Sequence, residues 1–164
     1  MKKVNFLIIS ALILAIVNVG GCVESRTKLQ IPQESYVLIG QGALFGSGEE
    51  GIVRQNLVIT DDVSWQNLVS QMNTRNNVSD GFTETNIDFN TYEVIAVFDE
   101  VKGNGGWTID ITSIEYQANQ IVVSVTNLTT GNVSSVITQP YQIVKIPVSN
   151  KEIVFETNYK NLGE

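Results

Sequence analysis

Residues Tyr92–Tyr116 read YEVIAVFDEVKGNGGWTIDITSIEY, and the way they pair decides the fold. The run Val94–Phe98 (VIAVF) is apolar without a break, which suits a short strand covered on both faces. Beyond the turn Lys102-Gly103-Asn104-Gly105-Gly106, the residues Trp107, Ile109 and Ile111 alternate with Thr108, Asp110 and Thr112. That period of two marks a half-buried strand. After Ser113 the apolar parity moves to Ile114 and Tyr116, so a bulge or twist is expected there. Two such strands across a glycine-rich turn predict the central hairpin of a β-rich domain.

Upstream, Trp65, Leu68, Val69 and Met72 fall at i, i+3, i+4 and i+7, a single apolar stripe that predicts one amphipathic helix. Ser64 is the expected N-cap, Val63 and Leu68 the expected hydrophobic staple, and Asp61 and Asp62 favour the positive helix end. Strands are expected at Tyr36–Ile39 and Ile52–Ile59, separated by a glycine-rich loop over 40–51. A polar loop over 76–90 leads to the central pair. Downstream, Ile121–Leu128, Val133–Ile137, the segment opened by Pro140 and ended near Pro147, and Glu152–Glu156 read as strands between turns, followed by a fraying tail. The expected architecture is mainly β (α+β): an antiparallel sheet or sandwich of about seven or eight strands with the helix packed on one side.

The N-terminus gives an address. Lys2 and Lys3 precede the apolar run Phe6–Val17, interrupted only by Ser10, and Val19-Gly20-Gly21 precede Cys22, the sole cysteine. A basic start, a short apolar core and small residues before a cut describe a secretory signal. Small residues directly before the cysteine resemble a bacterial lipobox, with Val19 where leucine is more usual. The expected organisation is a lipoprotein signal over 1–21, Cys22 as the lipidated residue, a polar tether over 22–35, and one β-rich domain over 36–158. The expected location is the bacterial cell envelope, anchored by lipid, and in a Gram-negative cell the periplasmic or surface face of the outer membrane.

Composition excludes several chemistries. Against 10 Lys+Arg stand 17 Asp+Glu, and the basic residues are scattered, so no nucleic-acid footprint exists. Histidine is absent, which removes the commonest general base and a usual metal ligand. With Cys22 committed to lipid, neither a thiol nucleophile nor an internal disulfide remains. Gly46-Ser47-Gly48-Glu49-Glu50-Gly51 spells GxGxxG, but a strand-like segment follows it and two glutamates would repel phosphate, so it reads as a loop. The carboxylates Asp61 with Asp62, Asp99 with Glu100, and Asp80, Glu84 and Asp88 show no EF-hand spacing and read as solvated surface. No catalytic residue, metal site or cofactor is expected. Trp65 belongs to the helix stripe and the core. Trp107, at the loop end of its strand, is either core or the anchor of a partner surface, and Tyr141 either joins it or caps the sheet.

The central and C-terminal half resembles the PrcB C-terminal family of bacterial lipoproteins, named for a protease-complex subunit. The resemblance is carried by Val94–Phe98, by the glycine turn running into Trp107 and then Ile109-Asp110-Ile111, by Ile121–Val125, and by Thr138-Gln139-Pro140-Tyr141 leading into Val144-Lys145-Ile146-Pro147. Gly51-Ile52, Val58-Ile59 and the Trp65 helix are similar to the upstream layout. Family turns commonly read Pro-Thr-Gly-Gly-Tyr where this chain has Gly103-Asn104-Gly105-Gly106-Trp107. The resemblance implies a non-catalytic accessory protein that binds and stabilises an exported partner, in the named case a protease. Lys102, Gly103, Asn104, Gly105, Gly106 and Trp107, with Tyr141 beside them, are the expected contact residues. Two other readings stay open: a protease inhibitor whose Gly-Gly-Trp loop looks like the wedges of chagasin-type inhibitors, and a hydrolase working through carboxylates alone.

Overall fold

The computed structural model describes residues 36–130 and 134–161. The expected signal, Cys22 and the tether lie outside the described residues. The seven strands are β1 (Val37–Leu44), β2 (Gln55–Ile59), β3 (Tyr92–Phe98), β4 (Trp107–Tyr116), β5 (Gln120–Thr129), β6 (Gln139–Pro147) and β7 (Glu152–Asn161). One α-helix, α1 (Asp62–Met72), and a short 3-10 turn, Val78–Gly81, complete the described elements. The mainly β, α+β sandwich stands.

The strands form two sheets, ordered β1-β6-β3-β2 and β4-β5-β7. Ile95, Val97, Val144 and Ile146 of the first sheet meet Ile109, Ile111, Ile121, Val123 and Val125 of the second in one buried cluster. On the other face of the first sheet, Val94, Ala96, Phe98 and Ile143 pack with Trp65, Leu68, Val69 and Met72 of α1. β3 therefore lies in the middle of three layers. Its unbroken apolar run has this cause: both parities need apolar side chains. Burying each large apolar side chain of the α1 stripe contributes about 1.5–3 kcal/mol.

The expected central hairpin is not formed. β3 pairs with β2 and β6, whereas β4 pairs with β5, so the glycine-rich segment carries the chain from one sheet to the other. The expected bulge is present, as a register shift between Ile111 and Ser113. The sandwich is not wholly antiparallel, because β7 runs parallel to β5 from Gln120↔Glu152 to Thr129↔Asn161. β7 also replaces the expected fraying tail: its polar residues are held through the backbone ladder and need no apolar face.

Local differences have local reasons. Asp61, rather than Ser64, caps α1: its Oδ1 accepts from Ser64 N at 2.8 Å and its Oδ2 from the Ser64 hydroxyl at 2.8 Å. Val63 is 70% exposed, so the expected staple with Leu68 does not form. β1 runs on through Gly40 and Gly42 to Leu44, shortening the expected loop; the Phe82 ring lies so close that a Cβ on Gly40 would sit 2.5 Å from it. β2 begins only at Gln55, because the Ile52 carbonyl accepts from Gln139 Nε2 at 2.9 Å instead of joining a ladder. Residues 134–137 form no strand. Among the described residues, no helix is long and apolar enough to cross a membrane.

Candidate functional site

The segment between β3 and β4 is braced along its length. Lys102 and Thr138 exchange two backbone hydrogen bonds, at 2.7 and 3.1 Å. Gly105 N donates to Ser134 O at 3.0 Å, and the Thr138 hydroxyl to Asn104 O at 3.1 Å. Thr130 N closes the far side by donating to Gly106 O at 3.0 Å. One of the three glycines is required by its backbone, and a second is closely approached. Gly106 has φ 87°, and a Cβ on Gly105 would fall 2.2 Å from the Ser134 hydroxyl.

The side chains add a second set of ties. The Trp107 indole N–H donates to Asn104 Oδ1 at 2.7 Å, and Lys102 Nζ stands 4.4 Å over the Trp107 ring. The same ammonium donates to Glu100 Oε1 at 2.9 Å and lies 3.0 Å from Asp99 Oδ2. Asp99 is fully buried, and its Oδ2 has an ionic contact without hydrogen-bond geometry. Its Oδ1 accepts from Glu100 N at 2.8 Å. Asp99 is thus no part of a solvated acidic surface, while its neighbour Glu100 is exposed.

The structure brings Lys102, Gly103, Asn104, Gly105, Gly106 and Trp107 together as one hydrogen-bonded connection, in which Lys102 and Gly105 are buried, Asn104, Gly106 and Trp107 are half-buried and Gly103 is exposed. Burial corrects the expectation that Lys102 and Gly105 touch a partner directly and makes them supports of the surface. It does not bring Tyr141 to that surface. Tyr141 is only 5% exposed, packed 6.2 Å from Phe98 and 6.3 Å from Phe82 between ring centroids. The expectation for Tyr141 is corrected: burial makes it a core residue, and desolvation raises its phenol above the usual range.

Four residues missed by the sequence reading surround the braced segment. Phe45, Val101, Val136 and Ile137 are exposed large apolar side chains. Phe45 follows Leu44, the register partner of Gln139, while Ile137 precedes Thr138, the bridge partner of Lys102. Val101 lies against the turn at Gly48. The available signal was a large apolar residue inside each of three segments otherwise composed like turns.

The GxGxxG stretch holds an anion of its own. Glu50 is buried and its Oε1 accepts from Gly46 N at 2.7 Å, so a carboxylate already occupies the turn interior. The remaining acidic residues are spread apart. Asp88 caps its own turn through Thr91 and Asn90, which lowers its carboxyl below the usual value, and Glu84 pairs with Lys145 at 2.6 Å. Among the described residues no group of three or more acidic side chains could hold a metal ion. A cavity between the sheets, on the β2 and β7 side, is lined by amides, a guanidinium and apolar side chains, with no carboxylate in its walls. Comparisons of the chain with protein-family models, curated proteins and solved structures return no match.

Proposed function

We propose that this chain is a lipid-anchored, non-catalytic accessory protein that grips an exported protein partner, a protease complex being the partner implied by the PrcB-like resemblance. The membrane attachment is the lipid on Cys22, and the gripping surface is Gly103, Asn104, Gly106 and Trp107 of the braced segment, held from beneath by the buried Lys102 and Gly105, with Phe45, Val101, Val136 and Ile137 around it. One observation carries this reading: exposed apolar side chains gathered around a segment whose shape is already fixed by hydrogen bonds. A surface ordered before contact loses less conformational entropy on binding, and a few anchors, most often aromatic, supply most of the affinity. Trp107 is the aromatic side chain placed for that role, and the aliphatic ones around it exclude water.

The test is copurification from detergent-solubilised envelope with the full chain as bait. Wild type is expected to recover a defined exported partner. Val136→Asp combined with Ile137→Asp should lose it, whereas Lys160→Ala, at the far edge strand, should retain it. Recovery of the bait alone, or equal recovery by both variants, counts against the proposal.

A further inference from the structure

The cavity on the β2 and β7 side plays no part in that surface, and its chemistry is more specific. Its volume is about 240 Å³, space for about eight waters at about 30 Å³ each. Ile109 and Val125 give it apolar walls. Asn127 continues the inward-facing series Ile121, Val123 and Val125 of β5, so its amide sits where a fourth apolar side chain would otherwise go. It is 2% exposed, yet neither Nδ2 nor Oδ1 has a hydrogen-bond partner. Buried amides are nearly always satisfied, and an unsatisfied one lining a cavity is evidence of a missing partner. Asn56 stands opposite Val97 in register and shares the face of β2 turned to the second sheet. Gln55, and Thr157 opposite Val125, complete the polar part of the wall.

Arg54 sits at the rim. Its guanidinium lies 5.1 Å over the Tyr159 ring, and its nearest acidic oxygen, Asp99 Oδ1, is 3.9 Å away, beyond hydrogen-bond reach. Lys102 Nζ, at 3.0 Å, already answers the Asp99 charge. The guanidinium, on a side chain 42% exposed, therefore keeps donors within reach of a molecule in the cavity mouth. Asn127 offers two N–H donors and one carbonyl acceptor. A matching molecule needs an anionic acceptor for Arg54 and Asn127 Nδ2, with a donor close by for Asn127 Oδ1.

We infer that this cavity binds a small carboxylic acid with an N–H or O–H donor next to its carboxylate: a free amino or hydroxy acid, or the C-terminal residue of a peptide. The carboxylate meets Arg54 and Asn127 Nδ2, the adjacent donor meets Asn127 Oδ1, and the ligand's side chain lies against Ile109 and Val125. A desolvated carboxylate is tolerated because a guanidinium pairs with it. The apolar walls favour a small apolar side chain.

Titration calorimetry on the full chain tests this with alanine, valine and lactate, with the amides of the two amino acids, and with a tripeptide ending in valine as its free acid or amide. Saturable binding is expected only for probes with a free carboxylate. Free acids binding names a small-molecule source, and binding by the tripeptide acid alone names a chain terminus; either supports the inference. Arg54→Gln should weaken binding roughly tenfold or more, the effect of losing a charge-assisted hydrogen bond. Asn127→Leu, which removes both polar atoms at similar volume, should abolish it. If that variant does not fold, the exposed Arg54 substitution decides alone. Absence of heat from every probe at millimolar concentration overturns the inference, as do amides binding as tightly as acids or affinity unchanged by Arg54→Gln.

Discussion

Replacing Lys102 with methionine keeps an unbranched side chain, one atom shorter, and removes its charge beside Asp99. The two charges lie 3.0 Å apart, with the carboxylate fully buried and only 9% of the lysine side chain exposed. At an effective dielectric constant of about 20, that separation corresponds to about 5.5 kcal/mol of attraction. Lys102 recovers hydration when the pair is never formed, so the net cost is smaller, and removing one partner of a buried pair typically costs about 3–5 kcal/mol. Arg54, 3.9 Å from the same carboxylate, remains to compensate in part. Lys102→Met should therefore lie at the lower end of that range, about 3 kcal/mol, including about 0.5–1 kcal/mol from the lost contact with the Trp107 ring. Guanidinium denaturation of the full chain measures the loss, and the thermal midpoint should fall by roughly 10 °C. A double variant with Asp99→Asn removes the stranded charge, so its loss should be about 2 kcal/mol smaller than the sum of the two single losses. A Lys102→Met variant within about 0.5 kcal/mol of wild type, or strict additivity of the pair, would refute the electrostatic account of this connection.

Other consequences can be checked separately. Glu93 is buried with Oε1 unpartnered, and desolvation raises its carboxyl above the usual value of 4.5 despite a hydrogen bond from the Ser149 backbone. With its folded value raised, the native state holds the proton longer than the unfolded chain does. Stability should therefore fall as pH rises from 4.5 through the folded value, and Glu93→Gln should flatten that fall and stabilise the protein at pH 7 in urea titrations. Gly40→Ala drives a Cβ into the Phe82 ring and should cost about 1–3 kcal/mol in the same assay. Asp61→Ala should lower helix stability measured by circular dichroism. Hydrogen bonds from Ser64 hold the folded Asp61 carboxyl below its usual 3.8, so the wild-type advantage should fade as pH falls through 3.8 and below.

The helix stripe was legible because Trp65, Leu68, Val69 and Met72 repeat with the helical period, and all four are buried. The central position of β3 was legible because a strand between two layers needs apolar residues on both parities. The bulge near Ser113 was legible as a parity slip. Strand partnership was not, since Val94–Phe98 and Trp107–Tyr116 have the same local pattern whether they face each other or part to different sheets. The eight residues between β3 and β4 were a clue, because hairpin loops commonly use about 2–5 residues. β7 was hidden for another reason. Backbone pairing with β5 specifies a strand even where Glu156–Asn161 offer almost no apolar signal. Of the proposed contact surface, the glycine turn and Trp107 could be read, but the apolar residues around it converge only through tertiary folding. Asn127 carried a signal that was not used: a polar residue at the inward position after Ile121, Val123 and Val125.

Neither sheet is a continuous piece of the chain. β6, at the centre of the first sheet, is the sixth strand in sequence, and β5 and β7 of the second sheet lie on either side of it. A chain that emerges N-terminus first therefore leaves the first three strands without β6, and the edge of β3 open, until residues 139–147 follow. Folding dominated by such distant partners is slow, and uncovered strand edges in the interval invite wrong company. Anything that shields the emerging chain over that interval should raise the yield of native protein more than it raises the stability of the finished fold.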